Sequence, residues 1–222
     1  MGKLYAVGDI HGCYHALKKL LGKISPNRST DRVIFLGDYV NRGKNSRRVI
    51  DTLIEFKSTH PRTVFLKGNH EAMLVDYLNN SHIPLFLQAG GIETLESYGV
   101  SPPDVERARR AIPESHKQFL LDLLPYWEEQ NYLFVHAGFE KGRHPSRQSH
   151  AWLYWADREK FIQQSFPKDH KKIIFGHFAN DAPIVLEDKI GIDSGAVYGG
   201  VLTCLILPDM TFTTSREVNA TH

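Results

Sequence analysis

Cysteine is scarce in this chain: among 222 residues only Cys13 and Cys204 carry a thiol. Two thiols cannot build the disulfide framework of a small secreted scaffold, so a reducing, cytoplasmic setting is expected. Long apolar runs are missing too; no stretch approaches the roughly 18 residues that a membrane-spanning helix requires. The opening segment reaches Gly8-Asp9 before an apolar leader region can form, and no signal peptide is expected. Nor does one charge dominate. Lys and Arg total 27 against 25 for Asp and Glu, a formal net charge of +2, too near neutrality to support non-specific nucleic-acid binding. Internal repeats and low-complexity tracts are absent, which excludes solenoids and linkers.

The residues that are present describe an ordinary core. Hydrophobic content is 41% and charged content 23%, values that exclude a disordered chain or a fibre. Surface scaling at this length leaves about 70% of the unfolded chain's surface buried, ample for one core. We expect a single domain over residues 1–222. Histidine is unusually frequent at 12 residues, a composition that hints at metal or acid–base chemistry without establishing either.

Five short apolar runs have strand length and β-branched or aromatic content: Leu4–Val7, Arg32–Leu36, Thr63–Leu66, Tyr132–Val135 and Lys172–Phe175. Helix-spaced apolar residues follow three of them, at Tyr14–Leu21, Ser46–Phe56 and Glu71–Leu78. Strand, polar turn, helix, strand is the order of an α/β fold. Residues 79–127 read as a helical insert, broken by Pro84, Gly90-Gly91, Pro102-Pro103 and Pro113. Beyond residue 177 the segments Pro183–Leu186, Ile190–Ile192, Ala196–Tyr198, Val201–Leu207 and Thr211–Thr214 are strand-like, and the short turns between them predict an antiparallel region.

Each of the five runs ends in a turn that carries polar, metal-competent groups: Asp9 and His11, Asp38, Asn69 and His70, His136, and His177. Taken singly, a Gly-Asp pair after a strand is ordinarily a turn, a histidine there ordinarily a capping residue, and an asparagine an αL residue. Five such turns in α/β order point instead to one site off the carboxyl ends of the strands. Carboxylate, imidazole and amide oxygen suit borderline divalent ions such as manganese, iron or zinc, and the lack of thiolates argues against a structural zinc site.

Gly8-Asp9-Ile10-His11-Gly12, Gly37-Asp38-Tyr39-Val40-Asn41-Arg42-Gly43 and Gly68-Asn69-His70-Glu71 resemble the three signature motifs of the phosphoprotein phosphatase family of metallophosphoesterases, bacterial and bacteriophage Ser/Thr phosphatases among them. Asp9, Asp38 and Asn69 follow one another at intervals of 29 and 31 residues. His136-Ala137-Gly138 and Gly176-His177 resemble the family's later metal-histidine motifs, and Ile192-Asp193-Ser194-Gly195-Ala196 its C-terminal strand-turn. The resemblance implies a four-layer β-sandwich flanked by helices. It implies two divalent ions, Mn²⁺ foremost and Fe or Zn²⁺ as alternatives, with Asp9, His11 and Asp38 on one and Asp38, Asn69, His136 and His177 on the other. Such a pair activates a bridging water for in-line attack on phosphorus. Arg42 would then fork onto phosphate oxygens, with Asn69 beside the phosphate and Arg158 as the second phosphate-binding arginine, while His70 protonates the leaving oxygen.

The chain departs from the family at Asn41, where an aspartate ordinarily partners the general-acid histidine; an amide can hold His70 but brings no charge. The activity expected is hydrolysis of phosphoserine and phosphothreonine in proteins or peptides, with phosphotyrosine as a further substrate. The alternative enzyme reading is a diadenosine polyphosphate hydrolase. A third reading, prompted by Asn41, is a weakly active metal-binding module that captures phosphorylated proteins. No nucleic-acid or membrane partner is expected, and oligomeric state is open. Arg107, Arg109, Arg110 and Lys117 read as a solvated helix face, Cys13 as local packing, and Trp127, Trp152 and Trp155 as core or site wall.

Overall fold

The computed structural model describes residues 2–167 and 169–216; the remainder of the expected 1–222 unit lies outside them. Among the described residues ten strands form two five-stranded sheets. In the first, β1 (Leu4–Val7), β2 (Arg32–Phe35) and β3 (Val64–Phe65) run parallel, and β9 (Thr203–Leu207) and β10 (Thr211–Thr214) extend the sheet antiparallel on the far side of β1. In the second, β5 (Tyr132–Val135), β6 (Lys172–Phe175) and β8 (Lys189–Gly191) are parallel, flanked by antiparallel β4 (Tyr126–Glu129) and β7 (Ile184–Val185).

The central strands read as continuous apolar runs because both of their faces are covered. Along β1, Leu4 and Ala6 point between the sheets, and Tyr5 and Val7 point to the helices. Ile34, Val64, Phe134, Ile174, Ile190 and Leu205 complete the layer between the sheets. Helices α1 (Tyr14–Leu21), α2 (Ser46–Thr59) and α3 (Asn69–Leu78) cover the first sheet with Leu17, Leu20, Val49, Ile50, Leu53, Met73 and Leu74. Helices α4 (Ile83–Phe86), α5 (Ile92–Ser97), α6 (Val105–Ala111) and α7 (Glu114–Leu121) close that side, with a π-helical turn at Leu87–Gly91 between α4 and α5. Helices α8 (His150–Trp155) and α9 (Arg158–Gln163) cover the second sheet through Leu153, Tyr154 and Phe161. Each fully buried aliphatic or aromatic side chain contributes about 1.5–3 kcal/mol relative to exposure. The result is the helix–sheet–sheet–helix arrangement of the metallophosphoesterase fold.

Three sequence expectations change. Tyr126–Glu129 is a strand paired with β5, so the helical stretch drawn to residue 127 ends earlier. Ala196–Tyr198 forms a 3₁₀ turn between Gly195 (φ 64°) and Gly199 (φ 89°), since two left-handed residues interrupt any strand there. The C-terminal strands are not one antiparallel region: β7 and β8 complete the second sheet, and β9 and β10 the first. The basic residues of the insert form a solvated face, with Arg109 paired to Glu106 and Lys117 to Glu114. Trp155 is 45% exposed rather than part of the core.

Candidate metal centre

Parallel pairing brings the carboxyl ends of β1, β2 and β3 to one edge, and those of β5 and β6 to the matching edge of the facing sheet. The loops from the two sheets interlock there. His136 Nδ1 donates to the Leu36 carbonyl at 3.0 Å, and the His177 backbone N–H donates to Asp9 Oδ2 at 2.9 Å. A Cβ at position 176 would lie 2.1 Å from Asp9 Oδ1, so only glycine admits the carboxylate at that point. Asp9, His11, Asp38, Asn69, His70 and His136 are buried, and His177 nearly so.

The loops are held in unfavourable backbone conformations. Five of the nine described non-glycine residues with positive φ are His11 (45°), Asp38 (51°), Asn41 (70°), Arg42 (67°) and His177 (64°). Such conformations cost about 1–3 kcal/mol each and persist only where surrounding contacts impose them. Glu71 supplies much of that constraint. Its buried carboxylate accepts from the backbone N–H groups of Asp38 (2.9 Å), Tyr39 (2.7 Å), Val40 (3.2 Å) and Gly68 (3.0 Å). Sequence reasoning gave Glu71 no role. Its place three residues after the Gly68 helix cap was the available clue, but the contacts to residues 38–40 are tertiary.

Ligand atoms converge on Asp38. Its Oδ2 lies 3.4 Å from His11 Nε2, 3.4 Å from His136 Nε2 and 4.0 Å from His70 Nε2. Two groups, His11–Asp38–His70 and Asp38–His136–His177, have ligand atoms mutually within 4.8 Å, with Asp38 common to both. The tautomers suit cation binding. The Nδ1 proton of His11 goes to the Val40 carbonyl at 3.0 Å, and that of His136 to Leu36, which leaves both Nε2 lone pairs facing the cluster. His136 Nε2 sits 2.9 Å from Asn69 Oδ1, lone pair against lone pair, a contact that a shared cation resolves. Asp9 Oδ1 has no hydrogen-bond partner.

Electrostatics agree. Burial, with Asp193 and Asp38 nearby, raises the Asp9 carboxyl well above its usual range; burial and Glu71 do the same to Asp38. Burial and the Arg42 guanidinium push His11 down to about 3 and His177 to about 4, and burial also lowers His136. Neutral imidazoles around crowded carboxylates are a donor set completed by cations. Asp193, buried behind Asp9 and accepting from the Gly195 N–H at 3.0 Å, adds to that negative field.

Of the remaining predicted residues, Arg42 and Asn41 contact histidines of the cluster. Arg42 donates from Nη1 to His11 Nε2 at 2.7 Å, and its guanidinium lies 5.4 Å from the Tyr198 ring centroid. Asn41 Nδ2 is 2.9 Å from His70 Nδ1. Arg158, at the start of α9, is exposed and reaches the Ala179 carbonyl and Asn180 Oδ1, just beyond His177. Burial pushes the Cys13 thiol up to about 11, so it is protonated at neutral pH and no nucleophile.

Residues 2–201 match the family model described as calcineurin-like phosphoesterase. The chain belongs to that family. This phosphoesterase is 27% identical over 227 residues to bis(5'-nucleosyl)-tetraphosphatase PrpE [asymmetrical] of Bacillus mycoides (strain KBAB4), an alignment spanning 92% of this chain and 90% of that protein. Its fold superposes on a crystal structure assigned provisionally to a diadenosine tetraphosphatase, with TM-score 0.70 and 23% identity over 96% of this chain and 92% of the other. It also superposes on a protein serine/threonine phosphatase from Saccharomyces cerevisiae, with TM-score 0.65 and 17% identity over 98% and 80% of the two chains. Among the described residues of this phosphoesterase, no helix is long and apolar enough to cross a membrane.

Burial and neighbouring carboxylates raise Asp9 and Asp38, so a cation held by them would displace protons, and affinity is expected to fall as pH falls. Titration calorimetry with Mn²⁺ in buffers of different ionisation enthalpy should show net proton release, larger at pH 5.5 than at pH 8. Equal release at both values would contradict the raised carboxyl pKa values.

Proposed function

We propose that this phosphoesterase hydrolyses phosphoanhydride bonds of the kind found in bis(5'-nucleosyl) polyphosphates. The observation that carries the reading is the neutral partner of His70: the Asn41 amide stands where a carboxylate would stabilise an imidazolium. Burial and the neighbouring His11 and Arg42 also hold His70 far below the usual histidine range, so the ring is neutral at working pH. A neutral imidazole donates a hydrogen bond to a departing oxygen but is a weak proton donor. An alkoxide leaving from phosphoserine needs a full proton; a phosphate leaving from an anhydride, with a conjugate acid that ionises near neutrality, does not. Resemblance to bis(5'-nucleosyl)-tetraphosphatases along most of the chain supports the same reading, as does Tyr198, 65% exposed beside Arg42, as a surface on which a base can stack.

In this reading Asp9, His11 and Asp38 hold one divalent cation, and Asp38, Asn69, His136 and His177 a second, Mn²⁺ being the ion that the mixed oxygen and imidazole set suits and Fe or Zn²⁺ the alternatives. When bound, the ions supply charge neutralisation of the phosphoryl group and a lowered pKa for water. Arg42 turns from His11 to fork onto non-bridging phosphate oxygens, and Arg158 guards the outer rim. The attacking water's oxygen bonds to phosphorus as the bond to the leaving phosphate oxygen breaks, and His70 steadies that oxygen through its Nε2 proton. Dephosphorylation of phosphoserine or phosphothreonine proteins is the second reading, favoured by the open surroundings of Arg158 and Tyr198.

Rates with Mn²⁺ on diadenosine tetraphosphate, a phosphoserine peptide and para-nitrophenyl phosphate separate these readings. The dinucleotide is expected to be the best substrate; a higher kcat/KM on the peptide would reverse the assignment, and Mn²⁺-dependent peptide binding without turnover of any of the three would point to a capture module. Asn41→Asp should raise the rate on the phosphoserine peptide about 10–10²-fold, because the carboxylate restores a charged acid. On diadenosine tetraphosphate it should change the rate by less than about threefold. An equal gain on both substrates would show that leaving-group protonation does not divide them.

A further inference from the structure

Asn41 and Arg42 are consecutive left-handed residues, and the backbone N–H of each finds its partner in the insert rather than in its own loop. The Arg42 N–H donates to the Gly90 carbonyl at 2.9 Å. Gly90, itself at φ 90°, lies so close that a Cβ there would be 2.6 Å from the Arg42 nitrogen. The Asn41 N–H donates to Thr94 Oγ1 at 2.8 Å. Thr94 Oγ1 is also 2.9 Å from Asn41 Oδ1 and 3.0 Å from Ser46 Oγ. Asn41, Ser46 and Thr94 are fully buried, so bulk water does not compete for these bonds and an unpaired donor is costly.

Counting protons gives the amide one orientation. Suppose Ser46 donates to Thr94. Thr94 Oγ1 then accepts from Ser46 and from the Asn41 N–H, and its own proton goes to Asn41 Oδ1. The Asn41 NH₂ group consequently faces His70 Nδ1 and donates to it, and the His70 proton resides on Nε2. Now suppose the reverse, with the amide flipped. Thr94 Oγ1 accepts from the Asn41 N–H and from the NH₂ group, its proton passes to Ser46, and the Ser46 proton has no acceptor among the contacts at that site. The first arrangement satisfies both hydroxyl protons and the second does not.

We propose that Thr94, backed by Ser46, is a positioning residue that locks the Asn41 amide so that His70 presents Nε2–H to the substrate. The insert thereby acts on the reaction through the ring orientation and tautomer of His70, while itself touching no substrate. A carboxylate in place of the amide has two equivalent oxygens and nothing to lock, so the dependence on Thr94 belongs to a chain with Asn at position 41. The kinetic half of this proposal rests on the reading of His70 as the group facing the leaving oxygen. The structural half does not.

The test uses Thr94→Val, which keeps the shape and removes the hydroxyl, and Thr94→Ser, which keeps the hydroxyl. In the metal-free full chain at one neutral pH, ¹⁵N ring resonances of His70, assigned by comparison with His70→Gln, report which nitrogen carries the proton. Wild type and Thr94→Ser should show an unprotonated Nδ1 and a protonated Nε2, and Thr94→Val should show a mixture or the reverse. In the kinetic arm, Thr94→Val should lower kcat on diadenosine tetraphosphate about 10-fold with KM within twofold, and Thr94→Ser should recover most of the loss. In the Asn41→Asp background Thr94→Val should cost less than about threefold. Unchanged His70 resonances in folded Thr94→Val would overturn the lock, whatever the substrate proves to be. Equal kinetic losses in the wild-type and Asn41→Asp backgrounds would overturn its role in turnover. Should no phosphate substrate be turned over, the proposed function fails while the resonances still decide whether Thr94 orients the amide. If Thr94→Val does not fold, Thr94→Ala carries the same comparison, because it too removes the hydroxyl that accepts from the Asn41 N–H and gives its proton to Asn41 Oδ1.

Discussion

Asp38→Asn should abolish measurable turnover, a loss of about 10³-fold or more, while leaving the protein folded. Asp38 is the carboxylate common to both ligand groups, with Oδ2 equidistant from His11 and His136. An amide removes the charge that two cations held as proposed would share, and charge stabilisation of this kind is worth several kcal/mol in the transition state. The fold should tolerate the change, because Asn Oδ1 can still accept from the His70 N–H as Asp38 Oδ1 does at 3.1 Å, and the new NH₂ group meets imidazole lone pairs. The metal-free protein should even gain stability: burial, with Glu71 and Asp193 nearby, disfavours the Asp38 carboxylate, and an amide avoids the cost of burying or protonating it. Elemental analysis should find fewer than two equivalents of bound ion, and thermal melts of the stripped proteins should place the variant at or above wild type. Retention of two ions together with more than a tenth of the wild-type rate would exclude Asp38 as the bridging group.

Arg42→Ala is expected to lower kcat about 10²–10³-fold, the scale at which donors aimed at developing transition-state charge contribute. Its effect on the cations should run the other way. The guanidinium donates to His11 Nε2, the lone pair that would bind metal, and its charge lowers both His11 and His177. Removing it frees the ligand and lessens repulsion, so Mn²⁺ affinity should be unchanged or tighter in the variant. Inorganic phosphate should inhibit wild type competitively and the variant much less. A rise in KM alone, with kcat intact, would assign Arg42 to uniform substrate binding. Weakened metal binding would mean that Arg42 supports the centre rather than the substrate.

The candidate donors were legible in sequence because each lies within a few residues of a strand whose end is fixed by apolar content. Leu4–Val7, Tyr132–Val135 and Lys172–Phe175 are read and observed over the same residues. A strand covered on both faces must be apolar throughout, so its termination in Gly-Asp, His-Ala or Gly-His is abrupt and visible. Parallel pairing then sends those ends to one edge whatever the details of packing. The strands after residue 177 were harder. Both sheets use the same short β-branched runs, and nothing local says that β8 pairs with β6 across an insertion while β9 crosses to β1. Tyr126–Glu129 escaped for a related reason: a half-buried edge strand with two glutamates lacks the apolar run that marks the others.

The amino-acid sequence by itself determined the class of chemistry: oxygen and imidazole donors at five strand ends, glycines where the backbone must crowd a carboxylate, and an arginine with an amide beside it in the second turn. These are properties of residue type and spacing. What the amide does was decided by the tertiary structure. Asn41 meets His70 at one end of its side chain and Thr94 at the other, and Thr94 arrives from an insert more than fifty residues downstream, behind it a serine at the start of α2. Glu71 gathers four backbone N–H groups from two loops in the same way. A hydrogen bond depends on distance and direction to within a few tenths of an ångström, and sequence separation carries no information on that scale, so the candidate donors could be read from the chain but the orientation of the groups around them required the fold.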